Sequence, residues 1–371
     1  MQEMPWPDSF ERNVHCILGL PFDAVDMSAA VRRIRDAVAR REPCFLSTPN
    51  VNWLVASQTD EALRNSVIHS DLCIADGMPL VWIAWLLGIP IRDRVTGSGL
   101  FETLRRDRVS RLSVFFFGGP EGVAEVACRR LNSDTDGGLS CAGFEFPGYG
   151  SIEDMSSDEC MARINSSGAD FLVVSLGAKR GQAWIEQNLK RLSIPVISHL
   201  GAVVDFVAGR MSRAPAWMQR VGLEWAWRIK EDPGLWRRYW SDGLVFLRLL
   251  LTRVVPLACY LRWHWPSHNE MEAAAIDVAN EGEDIVIRLR GAWVRQNLAP
   301  LRGCFSKVVQ TKKNVKLEMG GVSYIDSAFV GLAMQLQGYQ HQQGGRFLMV
   351  SLKKPVHRTI KYCCAEFLHS T

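Results

Sequence analysis

Short apolar runs recur through residues 1–240, and each gives way to a stretch whose apolar positions return at helical spacing. Pro43–Ser47, Asp71–Ala75, Ser113–Phe117, Asp170–Leu176 and Pro195–His199 read as strands. They stand roughly 20 to 55 residues apart, room enough for a crossover helix between them, so the pattern predicts an α/β domain built on a Rossmann-like parallel sheet. Ligands of such sheets bind beyond the carboxyl ends of the strands. Three predicted strand ends run into turns of interest: Ser47-Thr48-Pro49-Asn50, Asp76-Gly77 and Gly118-Gly119-Pro120.

The pattern changes at Pro266–Glu270. Beyond it Ile285–Leu289, Val315–Glu318 and Phe347–Val350 read as strands, and Ser327–His341 as a helix stopped by Gly344-Gly345. The expected plan is a first domain over 1–240, an amphipathic linker or interfacial segment over 241–270, and a small α/β domain over 271–371.

Composition supports two globular domains: 371 residues, 47% hydrophobic and 22% charged, which excludes disorder and fibrous classes. A net charge of +4 is too small to argue for nucleic acid. Ten cysteines with no C-x-x-C pair, and no basic-then-apolar leader, predict a cytoplasmic protein with free thiols. No apolar stretch of about 18 residues is free of charge, so the expectation is surface contact with a membrane rather than a span.

Asp76 follows Leu72-Cys73-Ile74-Ala75 and precedes Gly77, which places a carboxylate at a strand end where it can serve as general base on a hydroxyl. The plain alternative is a helix cap. Thr48, Asn50 and Asn52 close another strand end with groups that bond sugar hydroxyls or phosphates, though Thr-Pro-Asn is also ordinary turn chemistry. The planar fork of Arg94 suits a phosphate, or is a surface arginine. Asp134-Thr135-Asp136 has cation-binding spacing but turn-like neighbours, and Pro266 separates His264 from His268; neither pair reads as a metal site.

Between Arg210 and Arg262 ten basic residues face four acidic ones, and seven of the 13 tryptophans fall between Trp217 and Trp265. Basic residues beside Trp and Leu suit an anionic membrane surface; inward packing of the indoles and stacking on nucleic acid are the competing readings.

Thr48-Pro-Asn50, Ala75-Asp76-Gly77, Arg94-Val-Thr-Gly97, Phe117-Gly118-Gly119, Gly148-Tyr149, Gly177, Gly201-Ala202, Asp205-Phe206, Gly209, Arg213-Ala214-Pro215, and Leu223-Glu224-Trp225 through Arg228, Pro233 and Arg237-Arg238-Tyr239 occur in one order over residues 14–240. Together they resemble the WecG/TagA/CpsF glycosyltransferases. The resemblance implies inverting transfer from a UDP-sugar to a polyprenyl-diphosphate-linked acceptor, peripheral to the inner face of the cytoplasmic membrane, with no metal or other cofactor. It implies Asp76 as general base, Thr48, Asn50, Gly118 and Gly119 at the substrate pocket, Arg94 on an anion, and Arg228, Arg237 and Arg238 toward the lipid diphosphate. Relatives use N-acetylmannosamine, its uronic acid, glucose or galactose as the donor sugar. They also often form homo-oligomers.

One departure stands out. After Gly177-Ala178 the family reads Pro-Lys-Gln-Glu, whereas this chain reads Lys179-Arg180-Gly181-Gln182, so Gly181 takes the Gln position and Gln182 is left as the amide for substrate. The alternative function is accordingly a degenerate transferase acting as a scaffold. Residues 271–371 resemble a STAS domain through Ser323-Tyr324-Ile325-Asp326-Ser327, the helix beginning Ala328-Phe329-Val330-Gly331-Leu332, and Gly344-Gly345. That implies a protein partner and makes Ser327 a candidate phosphorylation site, with a helix cap as the plain alternative.

Overall fold

The computed structural model describes residues 9–369 apart from Val221. The chain opens with a buried hairpin, β1 (Val14–Ile17) and β2 (Leu20–Asp23). Its two turn residues, Leu18 and Gly19, both have positive φ, as a tight primed turn requires.

Six strands follow: β3 (Cys44–Ser47), β4 (Leu72–Cys73), β5 (Leu112–Gly118), β6 (Leu139–Glu145), β7 (Phe171–Ser175) and β8 (Val196–His199). They form one parallel sheet in the order β4-β3-β8-β7-β5-β6. All five expected strands are present, and β3, β4, β7 and β8 are buried along their whole length, as strands covered on both faces must be. The helices α1 (Met27–Arg40), α2 (Val51–Ala56), α3 (Glu61–Ile68), α4 (Met78–Leu87), α5 (Gly97–Arg106), α6 (Val123–Ser133), α7 (Asp158–Ser166), α8 (Ala178–Asn188) and α9 (Val203–Ala208) cover it. One face packs on α1, α5, α6 and α9, the other on α7 and α8, with α2, α3 and α4 gathered over the hairpin.

Cys128 on α6 and Cys141 on β6 form a disulfide, which corrects the expectation that every thiol is free. The α6–β6 turn folds back on itself and brings their Cα atoms to 5.1 Å.

After α10 (Ala216–Arg220) and α11 (Glu224–Glu231), α12 (Trp236–Leu249), a π turn (Leu250–Val254) and α13 (Val255–Trp263) continue as one helix of 31 residues from Pro233 to Trp263. By length and composition this helix is able to cross a membrane. Residues 243–260 within it carry Arg248 and Arg253, so no apolar stretch of this length is free of charge, as expected. The boundary expected at 240 falls inside this helix.

The short α14 (His268–Glu272) leads to the second sheet. It contains β9 (Ala275–Glu281), β10 (Asp284–Trp293), β11 (Asn314–Ile325) and β12 (Phe347–Val350), in the order β12-β11-β10-β9, with only β9 antiparallel. Its helices are α15 (Ala299–Val308), α16 (Ser327–Gln342) and α17 (Lys354–Tyr362).

The two domains share a core. Phe10, Cys16 and Ile68 of the first join the apolar cluster of the second. α16 lies on β1 because two glycines allow it: a Cβ at Gly331 would stand 2.5 Å from the Val14 carbonyl oxygen, and one at Gly338 would stand 3.1 Å from that of Ile68. Ser327 heads this contact face, 6% exposed, with Oγ 3.1 Å from His15 Nδ1. It is therefore enclosed between the domains, which corrects its reading as an accessible phosphorylation site. Asp326 caps α16, its Oδ1 accepting from the Ala328 and Phe329 amides.

Candidate active site

The carboxyl ends of β3, β4 and β8 open into a cavity of about 730 Å³. Thr48 and Asn50 reach it from the β3 end, Asp76 from the β4 end, His199 and Gly201 from β8, and Ala178 from the start of α8. Its opposite wall is the chain after residue 220: Glu224, Trp225 and Arg228 on α11, and Arg238, Tyr239 and Trp240 on α12. The sheet and the basic, Trp-rich segment thus form one site.

Local structure fixes each group. Asn50 caps α2, its Oδ1 accepting from the Asn52 and Trp53 amides, which leaves its amide nitrogen for a ligand. The Asp76 amide donates to the Pro49 carbonyl at 3.0 Å and ties the β4 loop to the β3 loop. Asp76 Oδ2 accepts from the Gly97 amide at 3.4 Å, at the first turn of α5. Gly97 has no room for a side chain, since a Cβ would stand 2.4 Å from Leu200 Cδ2 and 3.1 Å from Thr48 Cγ2. Asn52 Nδ2 donates to Asp242 Oδ2 at 2.8 Å and pins α12 against α2.

Burial pushes the Asp76 carboxyl up to about 6, and Glu224 adds to the rise, while Arg94, Arg228 and the Gly97 amide oppose it. A carboxylate of that basicity, facing a cavity, is suited to take a proton near neutral pH. Arg94 donates to Glu224 Oε2 at 2.8 Å and joins α11 to the sheet loops.

Thr48, Asn50, Asp76, Arg94, Arg228 and Arg238 therefore line one cavity. Asn52 lines it too, while Gly118, Gly119, Arg237, Gln182 and Asp134 do not. Gly118 and Gly119, both at positive φ, form the tight junction of β5 with β7: the Gly119 amide donates to the Ser175 carbonyl, and a Cβ on Gly118 would stand 2.8 Å from the same oxygen. Arg237 lies over the Trp236 ring, outside the cavity wall. Gln182 is buried on the inner side of α8, where its Nε2 donates to Ser47 Oγ at 2.8 Å and its Oε1 accepts from Ser66. This corrects its assignment to substrate. Asp134 pairs with Arg105 at the end of α6.

Sequence reasoning missed His199 and Glu224. Glu224 was visible as the lone acid ahead of Arg228, within a motif already noted. His199 was visible as a polar residue ending an apolar strand.

Six of the seven clustered tryptophans are exposed, which removes inward packing for them: Trp217, Trp225, Trp236, Trp240, Trp263 and Trp265. Trp236, Trp240, Leu244, Leu247, Leu251 and Val255 make one exposed stripe at helical spacing. Arg262 donates to the Leu86 carbonyl and thereby sets α13 against α4, which exposes Trp82, Trp85 and Leu86.

Fold and site define the class as a Rossmann-like α/β protein with a strand-end carboxylate and arginines around one cavity and an apolar flank beside it. The comparisons make it specific. The model described as the glycosyl transferase WecG/TagA/CpsF family matches residues 15–258, and the chain belongs to that family. A STAS domain of the Mlab type matches residues 276–363. Among relatives, the N-acetylglucosaminyldiphosphoundecaprenol N-acetyl-beta-D-mannosaminyltransferase of Bacillus spizizenii (strain ATCC 23059 / NRRL B-14472 / W23) is 29% identical over 55% of this chain and 80% of its own. The protein of that name from Staphylococcus aureus (strain MW2) is 24% identical over 60% of this chain and 85% of its own.

Proposed function

We propose that the protein transfers a sugar, with inversion, from a UDP-sugar to a polyprenyl-diphosphate-linked acceptor sugar at the cytoplasmic membrane face. The observation that carries this reading is Asp76, held at the cavity floor with a raised pKa and faced across the cavity by Arg228 and Arg238. The relatives' names make UDP-N-acetylmannosamine and an N-acetylglucosaminyl-diphosphate lipid the first pair to try.

In the proposed step Asp76 takes the proton of the acceptor hydroxyl while that oxygen attacks the anomeric carbon. The bond from this carbon to the diphosphate oxygen breaks on the opposite face, and UDP leaves with the electron pair. Arg94 and the first amides of α5 offset the charge that develops on the diphosphate. Arg228 and Arg238 receive the acceptor's diphosphate, and no resident metal takes part. The stripe from Trp236 to Val255, with Trp82 and Trp85, lies in the headgroup region and brings the cavity to the lipid substrate. The STAS domain acts as a fixed docking module, since α16 is committed to the first domain.

The test is UDP release by purified protein from a panel of UDP-sugars with a short-chain polyprenyl-diphosphate acceptor, beside Asp76→Ala and with EDTA. Turnover that needs Asp76 and ignores EDTA is the expected result. Silence with every donor, from folded protein, would refute the reading in favour of a degenerate scaffold.

A further inference from the structure

His199 ends β8 at the wall of the cavity and is only 7% exposed. Among the described residues neither of its ring nitrogens has a hydrogen-bond partner, and Nε2 is enclosed without one. Buried imidazoles ordinarily find partners; this one packs beside the Trp53 ring, centroids 5.8 Å apart, yet leaves its nitrogens unpaired at the cavity wall, which points to a partner that arrives with the ligand.

The ring also has a specific neighbour. A Cβ on Gly181 would stand 2.2 Å from His199 Cδ2 and 3.1 Å from Nε2, so the imidazole occupies the space that any side chain at 181 would enter. Residue 181 is where the motif carries Gln, and Gln182 next door is turned inward onto Ser47. The polar group missing from 181 thus has a replacement on the adjoining strand, in the same space. Burial lowers the His199 pKa to about 4, so near neutrality the ring carries one donor and one acceptor and no charge. Uncharged two-way hydrogen bonding suits a hydroxyl or acetamido group, whereas the phosphates have Arg94, Arg228 and Arg238 nearby.

We propose that His199 is a specificity-determining residue that hydrogen-bonds an uncharged hydroxyl or acetamido group of the donor sugar, in the space vacated by the side chain at position 181. The inference rests on the transferase reading and names what its cavity recognises.

The test measures binding of UDP and of the turned-over UDP-sugar to the full chain by calorimetry, with steady-state kinetics alongside. His199→Leu keeps bulk at the site but removes both nitrogens. It is expected to weaken UDP-sugar binding and raise the donor KM roughly tenfold or more, with UDP affinity unchanged. Thermal stability of the ligand-free variant should not fall, because no protein hydrogen bond is lost; a merely structural histidine would show the opposite. Gly181→Gln alone should impair donor binding through its clash with the ring. Combined with His199→Gly it should recover donor affinity relative to His199→Gly alone. Unchanged donor KM in His199→Leu, or losses in the double variant that simply add, would overturn the role of His199 while leaving the transferase intact. A wild-type chain that binds neither UDP nor any UDP-sugar would overturn both.

Discussion

The cavity and the contact between the two domains differ in how they treat polar groups. At the domain contact, Gly331 and Gly338 bring backbone against backbone, Asp326 is used up as a cap, and Ser327 meets His15. In the cavity, Asp76 accepts one long hydrogen bond and His199 none, although burial disfavours leaving either group unmatched. The domain contact is closed by backbone approach and even encloses His15 Nε2 without a partner, whereas the unmet hydrogen-bonding capacity of the second region lines a cavity that a ligand can enter. Chemistry is expected in the second, and the usual signalling turn of the STAS domain is spent on the first.

The largest effect expected from testing this contrast is at Asp76. Asp76→Asn should lower transfer by about 10² to 10⁴, the usual worth of a general base, read as initial rate of UDP release. The same variant should be more stable at pH 7. The folded pKa, about 6, lies above the ordinary Asp value of 3.8, so the native state binds this proton more tightly than the unfolded chain does. Wild-type stability therefore falls as pH rises from about 4 to about 6 and stays lowered above that. Removing the charge should return on the order of 2 kcal/mol near neutrality, measured by urea denaturation. Equal stability of the two proteins at pH 7 would mean that Asp76 is not strained.

Next is the domain contact. Gly331→Val sets a branched side chain against the Val14 carbonyl and should destabilise the chain by about 2 to 4 kcal/mol, or split one unfolding transition into two. A single transition with unchanged midpoint would show that the domains are not welded there.

The exposed stripe comes third. Changing Trp236, Trp240 and Leu244 together to Ser should reduce flotation with anionic vesicles several-fold and leave the melting temperature within a few degrees, because these side chains face solvent. Loss of stability without loss of vesicle binding would contradict a membrane role. The smallest effect is at Ser327: Ser327→Ala removes one hydrogen bond to His15 and should cost about 1 kcal/mol or less in thermal denaturation. Ready phosphorylation of Ser327 in the folded chain would contradict its enclosure.

The parallel sheet was legible because its inner strands are unbroken apolar runs, a pattern that burial on both faces dictates. Strands β6 and β9 were not, because they lie at sheet edges and mix exposed with covered positions. Hairpin β1–β2 was missed because His15, Pro21 and Asp23 interrupt its two four-residue strands, so although buried they form neither an unbroken apolar run nor an alternation. In the site, Thr48, Asn50, Asp76 and Arg94 could be picked out because strand ends and turns mark themselves locally. The inward turn of Gln182 and the meeting of Gly181 with His199 depend on how α8 returns to β8, which no local pattern encodes. Likewise, the burial of Ser327 follows from Gly331, which fits against Val14 more than 300 residues away in sequence.

The most direct test of the central claim is the pH dependence of UDP release between pH 5 and 8, for wild type and Asp76→Asn with the same donor and acceptor. A base with its pKa near 6 must be deprotonated to act, so the wild-type rate should fall toward tenfold per pH unit below that value and level off above it. Asp76→Asn should be nearly inactive throughout. A wild-type rate flat across this range, or substantial turnover by Asp76→Asn, would contradict the assignment of proton removal to Asp76.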